Sequence, residues 1–133
     1  MNNDLISLIG RALLAALFIV SGWGKVTAVG AISQNLASKG FPMPQVFGYL
    51  VALIELGGGL LILAGYQTRW VAALLAVHVV GTIFVGHPFW TMQDAARAQN
   101  MTQALKNLSI IGGFLMLAVA GPGRFSIDGA RER

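Results

Sequence analysis

Between Val46 and Tyr66 the chain reads VFGYLVALIELGGGLLILAGY, a run in which Glu55 is the sole charged residue. About 20 consecutive apolar residues are enough to cross a bilayer as an α-helix. An ionisable side chain inside such a helix is rare, normally faces protein rather than lipid, and marks a functional position. On insertion scales a central acid costs about 3 kcal/mol while each Leu or Ile returns about 0.5 kcal/mol, so the apolar neighbours of Glu55 carry it in. The carboxylate then needs a partner or a proton.

The rest of the chain is built the same way. Of its 133 residues 56% are hydrophobic and only 11% charged, with a mean hydropathy of +0.70. Soluble domains carry about 25% charged residues, so these charges cannot cover a water-exposed surface. The apolar residues also fall in blocks. Four spans follow, at about 5–23, 46–65, 70–86 and 104–120, bounded by Gly and Pro stop signals. Trp23, Trp70 and Trp90 stand at span ends, where amphipathic rings favour the membrane boundary. The expectation is an all-α, four-transmembrane-helix bundle in one integral membrane domain covering 1–133. Both termini lie on one side and two long loops on the other. The first long loop, with Val29, Ile32 and Leu36 at helical spacing, reads either as a short interfacial helix or as a solvated connector. In the second, Thr91 and Asp94 resemble a capping box that starts a polar helical turn towards span 4.

Several classes are excluded. No cysteine is present, which removes disulfides, thiolate metal sites and thiol redox chemistry in this chain. The net charge of +4 comes from scattered Lys and Arg without a basic patch, so nucleic acid is not a partner. Arg11 interrupts the first apolar run and acidic and amide residues precede it, unlike a cleavable signal peptide. Two distant histidines make neither a metal nor a haem site. Arg69, Arg124, Arg131 and Arg133 stand on the terminus side, against Lys25, Lys39, Arg97 and Lys106 on the loop side. Arg11 tips the count towards cytoplasmic termini. Small residues (Ala12 and Ala16, Gly57–Gly59, Ala72 and Ala76, Gly112 and Gly113) predict close helix packing.

Depth selects the candidate site residues. At about 1.5 Å per residue, Glu55 lies roughly 14 Å from the loop side, and Arg11 and His78 about 9 and 12 Å from the terminus side. Arg11, Glu55 and His78 are therefore expected as one intramembrane polar cluster, with an Arg11–Glu55 ion pair. Its bland reading is a pair that fixes helix register; the functional reading is a proton-carrying or ligand-binding carboxylate. A second group, Lys25, His87, Trp90, Lys106 and Asn107, gathers at the loop-side rim. It reads either as an aromatic and basic membrane anchor or as a mouth receiving the polar head of a quinone or another amphipathic molecule, with Thr91–Gln103 as a cover.

Motifs across nearly the whole chain resemble one family. They are Arg11 followed by Phe18-Ile19-Val20-Ser21-Gly22-Trp23-Gly24-Lys25, then Glu55-Leu56-Gly57-Gly58-Gly59, Gly65-Tyr66-Gln67-Thr68-Arg69, Asn107-Leu108, Gly112-Gly113 and Gly121-Pro122-Gly123-Arg124-Phe125-Ser126-Ile127-Asp128. This order resembles the DoxX family of small four-span bacterial membrane proteins. The resemblance implies a multi-pass bundle in the bacterial inner membrane and an association with quinone-linked oxidoreductases. Some members are also linked to complexes handling oxidative and thiol stress. The matched positions are Arg11, Gly22, Lys25, Glu55, Gly59, Arg69, Gly121, Pro122 and Asp128. Three functions stay open: a subunit of a redox, quinone-linked membrane system; a scaffold anchoring redox-enzyme subunits or copies of itself; and a small-molecule or proton carrier using Glu55.

Overall fold

The computed structural model describes residues 2–131, all of whose regular structure is helical. Arg133, counted above with the terminus side, lies outside the described residues. Four helices are long and apolar enough to cross a membrane: α1 (Asn3–Thr27), α3 (Pro44–Ala64), α4 (Thr68–Gly86) and α5 (Asp94–Ala120). A shorter α2 (Val29–Ser38) fills the first long loop, a 3₁₀ turn (Phe89–Thr91) opens the second, and α6 (Ile127–Arg131) follows α5.

Each boundary has a local cause. The Asn2 side chain accepts the Asp4 N–H at the start of α1, beside an acid in the first turn. Pro44 supplies the preset φ of the first turn of α3. That helix ends in a Schellman motif. Gly65 adopts φ 69°, its N–H bonds the Ile62 carbonyl, and the Tyr66 N–H bonds Leu61. α5 begins about ten residues before the expected span, because Asp94–Gln103 is polar but rich in helix-forming Ala, Gln and Arg. This segment is the first turns of α5. The expected capping box is absent: Thr91 donates its hydroxyl to the Pro88 carbonyl, and α5 starts after Gln93.

The helices pack as two pairs, α1 with α3 and α4 with α5, joined through an α3–α4 contact. Buried residues recur every three or four positions, as Ala15, Phe18 and Gly22 on α1 and Ala72, Leu75, Ala76 and Val79 on α4. The Phe18 and Phe114 rings meet edge to face, 5.2 Å apart, at the centre. Gly22 lies so close to the α3 backbone at Leu56 that no Cβ would fit. Gly59 packs likewise against Phe18 and Ile19 of α1. Not every small residue has this role: Ala16 is exposed, and Gly57 and Gly112 face open space. Leu13, Val20, Val77 and Val119 point outward, the apolar surface a bilayer covers.

At the terminus end the two Gly-rich motifs close on each other. Ser7 donates to the Pro122 carbonyl at 2.8 Å, and the Arg124 N–H donates to Asp4 at 2.9 Å, so the start of α1 and the chain after α5 share one end. Asp128 accepts the Gln67 N–H (2.9 Å), the Thr68 N–H (2.8 Å) and the Thr68 hydroxyl (2.8 Å), capping α4 from a distance in sequence. Partial burial raises the Asp128 pKa, but these donors and the nearby Arg131 outweigh it and hold the carboxyl below its ordinary range.

Candidate functional site in the loop-side cavity

Glu55 lies on the buried face of α3. Its Oε2 accepts from Lys25 Nζ at 2.7 Å and from the Ser21 hydroxyl at 2.7 Å. Lys25 Nζ also donates to Ser21 Oγ at 2.5 Å. Ser21 and Lys25 are four residues apart on α1, hence on one face. On the other side His78 Nε2 of α4 stands 3.1 Å from Glu55 Oε1. An ionised carboxylate only accepts, so Nε2 carries the proton and, in the neutral ring, Nδ1 keeps its lone pair. A continuous hydrogen-bonded chain, Lys25–Ser21–Glu55–His78, thus crosses from α1 through α3 to α4.

Arg11 is not part of it. The expected Arg11–Glu55 pair does not form. The Arg11 guanidinium, 1% exposed, instead donates to the carbonyls of Ile62 (3.2 Å) and Leu63 (2.9 Å) and to that of Phe125. There it neutralises the C-terminal end of α3. The reason is register. The Gly22–Leu56 contact sets Glu55 level with Gly22, about eleven residues or roughly 16 Å along α1 from Arg11, beyond an arginine's reach. Lys25, only about one turn from Gly22, reaches down easily. Depth counting from span ends placed Lys25 at the rim because the expected span stopped at 23, whereas α1 continues to Thr27.

The chain of polar groups lies on the wall of a cavity of about 450 Å³ that opens towards the loop side. Phe18, Leu36, Phe41 and Phe47 supply apolar lining, with α2 contributing Ile32, Asn35 and Leu36. Of the rim group, Lys25, His87, Lys106 and Asn107 all line this cavity. His87 Nδ1 stands 3.0 Å from Asn100 Oδ1 and so carries the proton, leaving Nε2 as acceptor. Lys106 donates to Gln103 at 2.6 Å, and Asn107 donates to Thr82 at 3.0 Å. Trp90 is the exception. It is half-exposed, packs against Phe84 and Phe89, and does not line the cavity. Its placement fits the anchor role. Glu55, His78 and four rim residues thus line one cavity, and Arg11 and Trp90 do not.

Ser21, Thr82 and Asn100 were not singled out from sequence. Ser21 had a legible signal, since a hydroxyl one turn before a lysine shares its helix face. Thr82 and Asn100 had none short of the tertiary contact. Among the described residues no three His, Asp or Glu side chains gather as a metal set. What the arrangement can do is bind an amphipathic molecule in an apolar chamber and offer its polar end N–H donors, ring acceptors and a relay for protons.

Comparison with known proteins bears on this geometry. The DoxX family model matches residues 6–88, well over half the chain. "Inner membrane protein YqjF" of Escherichia coli (strain K12) is 41% identical over 126 residues, covering 95% of this chain and 92% of that protein. "Inner membrane protein YphA" of the same organism is 37% identical over 121 residues, covering 91% and 86%. "Putative oxidoreductase CatD" of Bacillus subtilis (strain 168) is 34% identical over 77 residues, covering 58% and 56%. No solved structure matches the chain. With two inner-membrane relatives along nearly its whole length and four helices of spanning length, the protein is a multi-pass inner-membrane protein.

Proposed function

The chain belongs to the DoxX family, and from that premise we propose that it is the membrane subunit of a redox system that takes a quinone-type head group into the Glu55 cavity. The observation that carries this reading is the cavity itself. It has apolar walls suited to an isoprenoid-bearing ring, and a buried polar chain, Lys25–Ser21–Glu55–His78, along one side. The oxidoreductase name borne by CatD supports the same class.

The residues fit the ligand chemistry. A quinone presents two carbonyl acceptors, and its two-electron reduction takes up two protons, the electrons coming from a partner redox enzyme. Lys25, 27% exposed at its side chain, has one N–H left after bonding Glu55 and Ser21. Lys106 brings a second ammonium to the same cavity. These cations favour a head group gaining negative charge. Glu55 and His78 share a hydrogen bond through which a proton can be handed on, with the His78 ring as the nearer acid or base. The same relay supports a second reading, a proton carrier. It differs in requiring proton flux that depends on Glu55 without a bound redox molecule.

Titration of the purified protein with a short-chain quinone analogue tests the proposal. Saturable binding is expected, weakened about tenfold by Glu55→Gln or His78→Ala, the loss of one buried charged hydrogen bond. Trp90→Ala, outside the cavity, should bind as the wild type does. No saturable binding, or equal affinity in all four proteins, refutes the redox site and favours the scaffold.

A further inference from the structure

A second cavity, of about 580 Å³, lies at the opposite, terminus end of the bundle. It is formed where the chain after α5 folds back over the α3–α4 turn. Among the described residues its lining carries three arginines, Arg69, Arg124 and Arg131, against one carboxylate, Asp128. That carboxylate is already engaged by two backbone N–H groups and the Thr68 hydroxyl. Among the described residues the lining is thus basic, in a concave site. The Arg69 fork is held in place from behind, since its Nη1 donates to the carbonyls of Ala118 (2.8 Å) and Val119 at the end of α5. The rest of the guanidinium lies over Gly121, where an added Cβ would come within 3.0 Å of Nη2. Arg131 stacks on the Tyr66 ring at 4.9 Å. Arg69 and Arg131 are thus positioned by other contacts.

The cavity lies beside the start of α4, a helix of spanning length. Trp70, in the first turn of α4, also lines it and is 78% exposed. An outward indole at a span end sits at headgroup level. A planar guanidinium matches a phosphate oxygen pair, and basic pockets at the ends of transmembrane helices take anionic head groups. We propose that this cavity is a binding site for the phosphodiester head group of an anionic phospholipid, phosphatidylglycerol or its dimeric relatives.

Trp70 provides the probe. The protein, carrying Trp23→Phe and Trp90→Phe so that Trp70 alone reports, is placed in phosphatidylcholine nanodiscs. Brominated phosphatidylglycerol or brominated phosphatidylcholine is then added at equal mole fraction. Bromolipid quenching should be markedly steeper for phosphatidylglycerol. Arg131→Gln and Arg124→Gln should each weaken that preference about fivefold, the worth of one basic residue near an anionic head group, while Arg97→Gln at the other end leaves it unchanged. Retention of phosphatidylglycerol over phosphatidylcholine in native mass spectrometry of the wild type gives a readout independent of variant folding. Equal quenching by the two lipids, or an equal loss in Arg97→Gln, overturns the proposal. Abolition of the preference by millimolar inorganic phosphate reassigns the cavity to soluble anions. The site lies at the far end from Glu55, so this experiment succeeds or fails independently of quinone binding.

Discussion

Removing the Glu55 carboxylate strands three donors at once. Lys25 Nζ and Ser21 Oγ lose the acceptor they share at 2.7 Å, and His78 loses its partner at 3.1 Å. Two unit charges 2.7 Å apart attract by about 6 kcal/mol at an effective dielectric near 20, and by about 1.5 kcal/mol in water. Glu55 is 7% exposed at its side chain and Lys25 27%, so the pair falls between these limits. A coupling of about 2–3 kcal/mol is expected. Glu55→Ala should cost about 3–5 kcal/mol, because an ammonium is left half-buried beside an apolar wall. Lys25→Met, which keeps the stem, should cost about 2 kcal/mol, and the double variant about 2–3 kcal/mol less than the sum. Unfolding in mixed micelles of the four proteins measures the cycle. Losses that add within about 0.5 kcal/mol would refute the ion pair as an energetic unit. The same assay on Arg11→Ala with Glu55→Ala should give additive losses, since the structure separates those two side chains.

Three further outcomes follow from the fold. Gly22→Ala should destabilise by about 1–3 kcal/mol, because the new methyl meets the Leu56 backbone, whereas Gly57→Ala, facing open space, should be neutral or stabilising in the same unfolding assay. Asp128→Asn should cost about 1–2 kcal/mol at neutral pH, because the amide keeps one acceptor oxygen where the carboxylate uses two, for Gln67 and for Thr68. The folded-state pKa of Asp128 is depressed, so its contribution is present above the unfolded value of about 3.8 and fades as pH falls through the folded one. Unfolding curves of the two proteins should therefore converge in acid; a constant gap would show that the charge is irrelevant. Reporter fusions at the N-terminus and after Arg131 should lie on the same side of the membrane, and opposite locations would break the four-span arrangement.

Span number and helical class were legible in the sequence, because each spanning helix must be apolar along most of its length whatever it packs against. The motif at Gly65–Arg69 and that at Gly121–Asp128 were visible too, but not that they meet: the Asp128 cap on α4 joins residues about sixty positions apart. The inward placement of Glu55 was legible because a charge in an apolar run has no other place to go. Its partner was not. Choosing between Arg11 and Lys25 depends on how α1 slides along α3, and the contact of Gly22 with the Leu56 backbone decides it. Hydrophobic patterning is nearly blind to such a slide, since one turn moves a residue about 5.4 Å along the axis without changing the face it presents. It took the tertiary structure to show that the polar core residues and the rim share one cavity, because α2 and the loop after α4 fold over the same opening. Composition determines that a chain like this enters the membrane as helices; close packing of a few glycines determines which charges meet there.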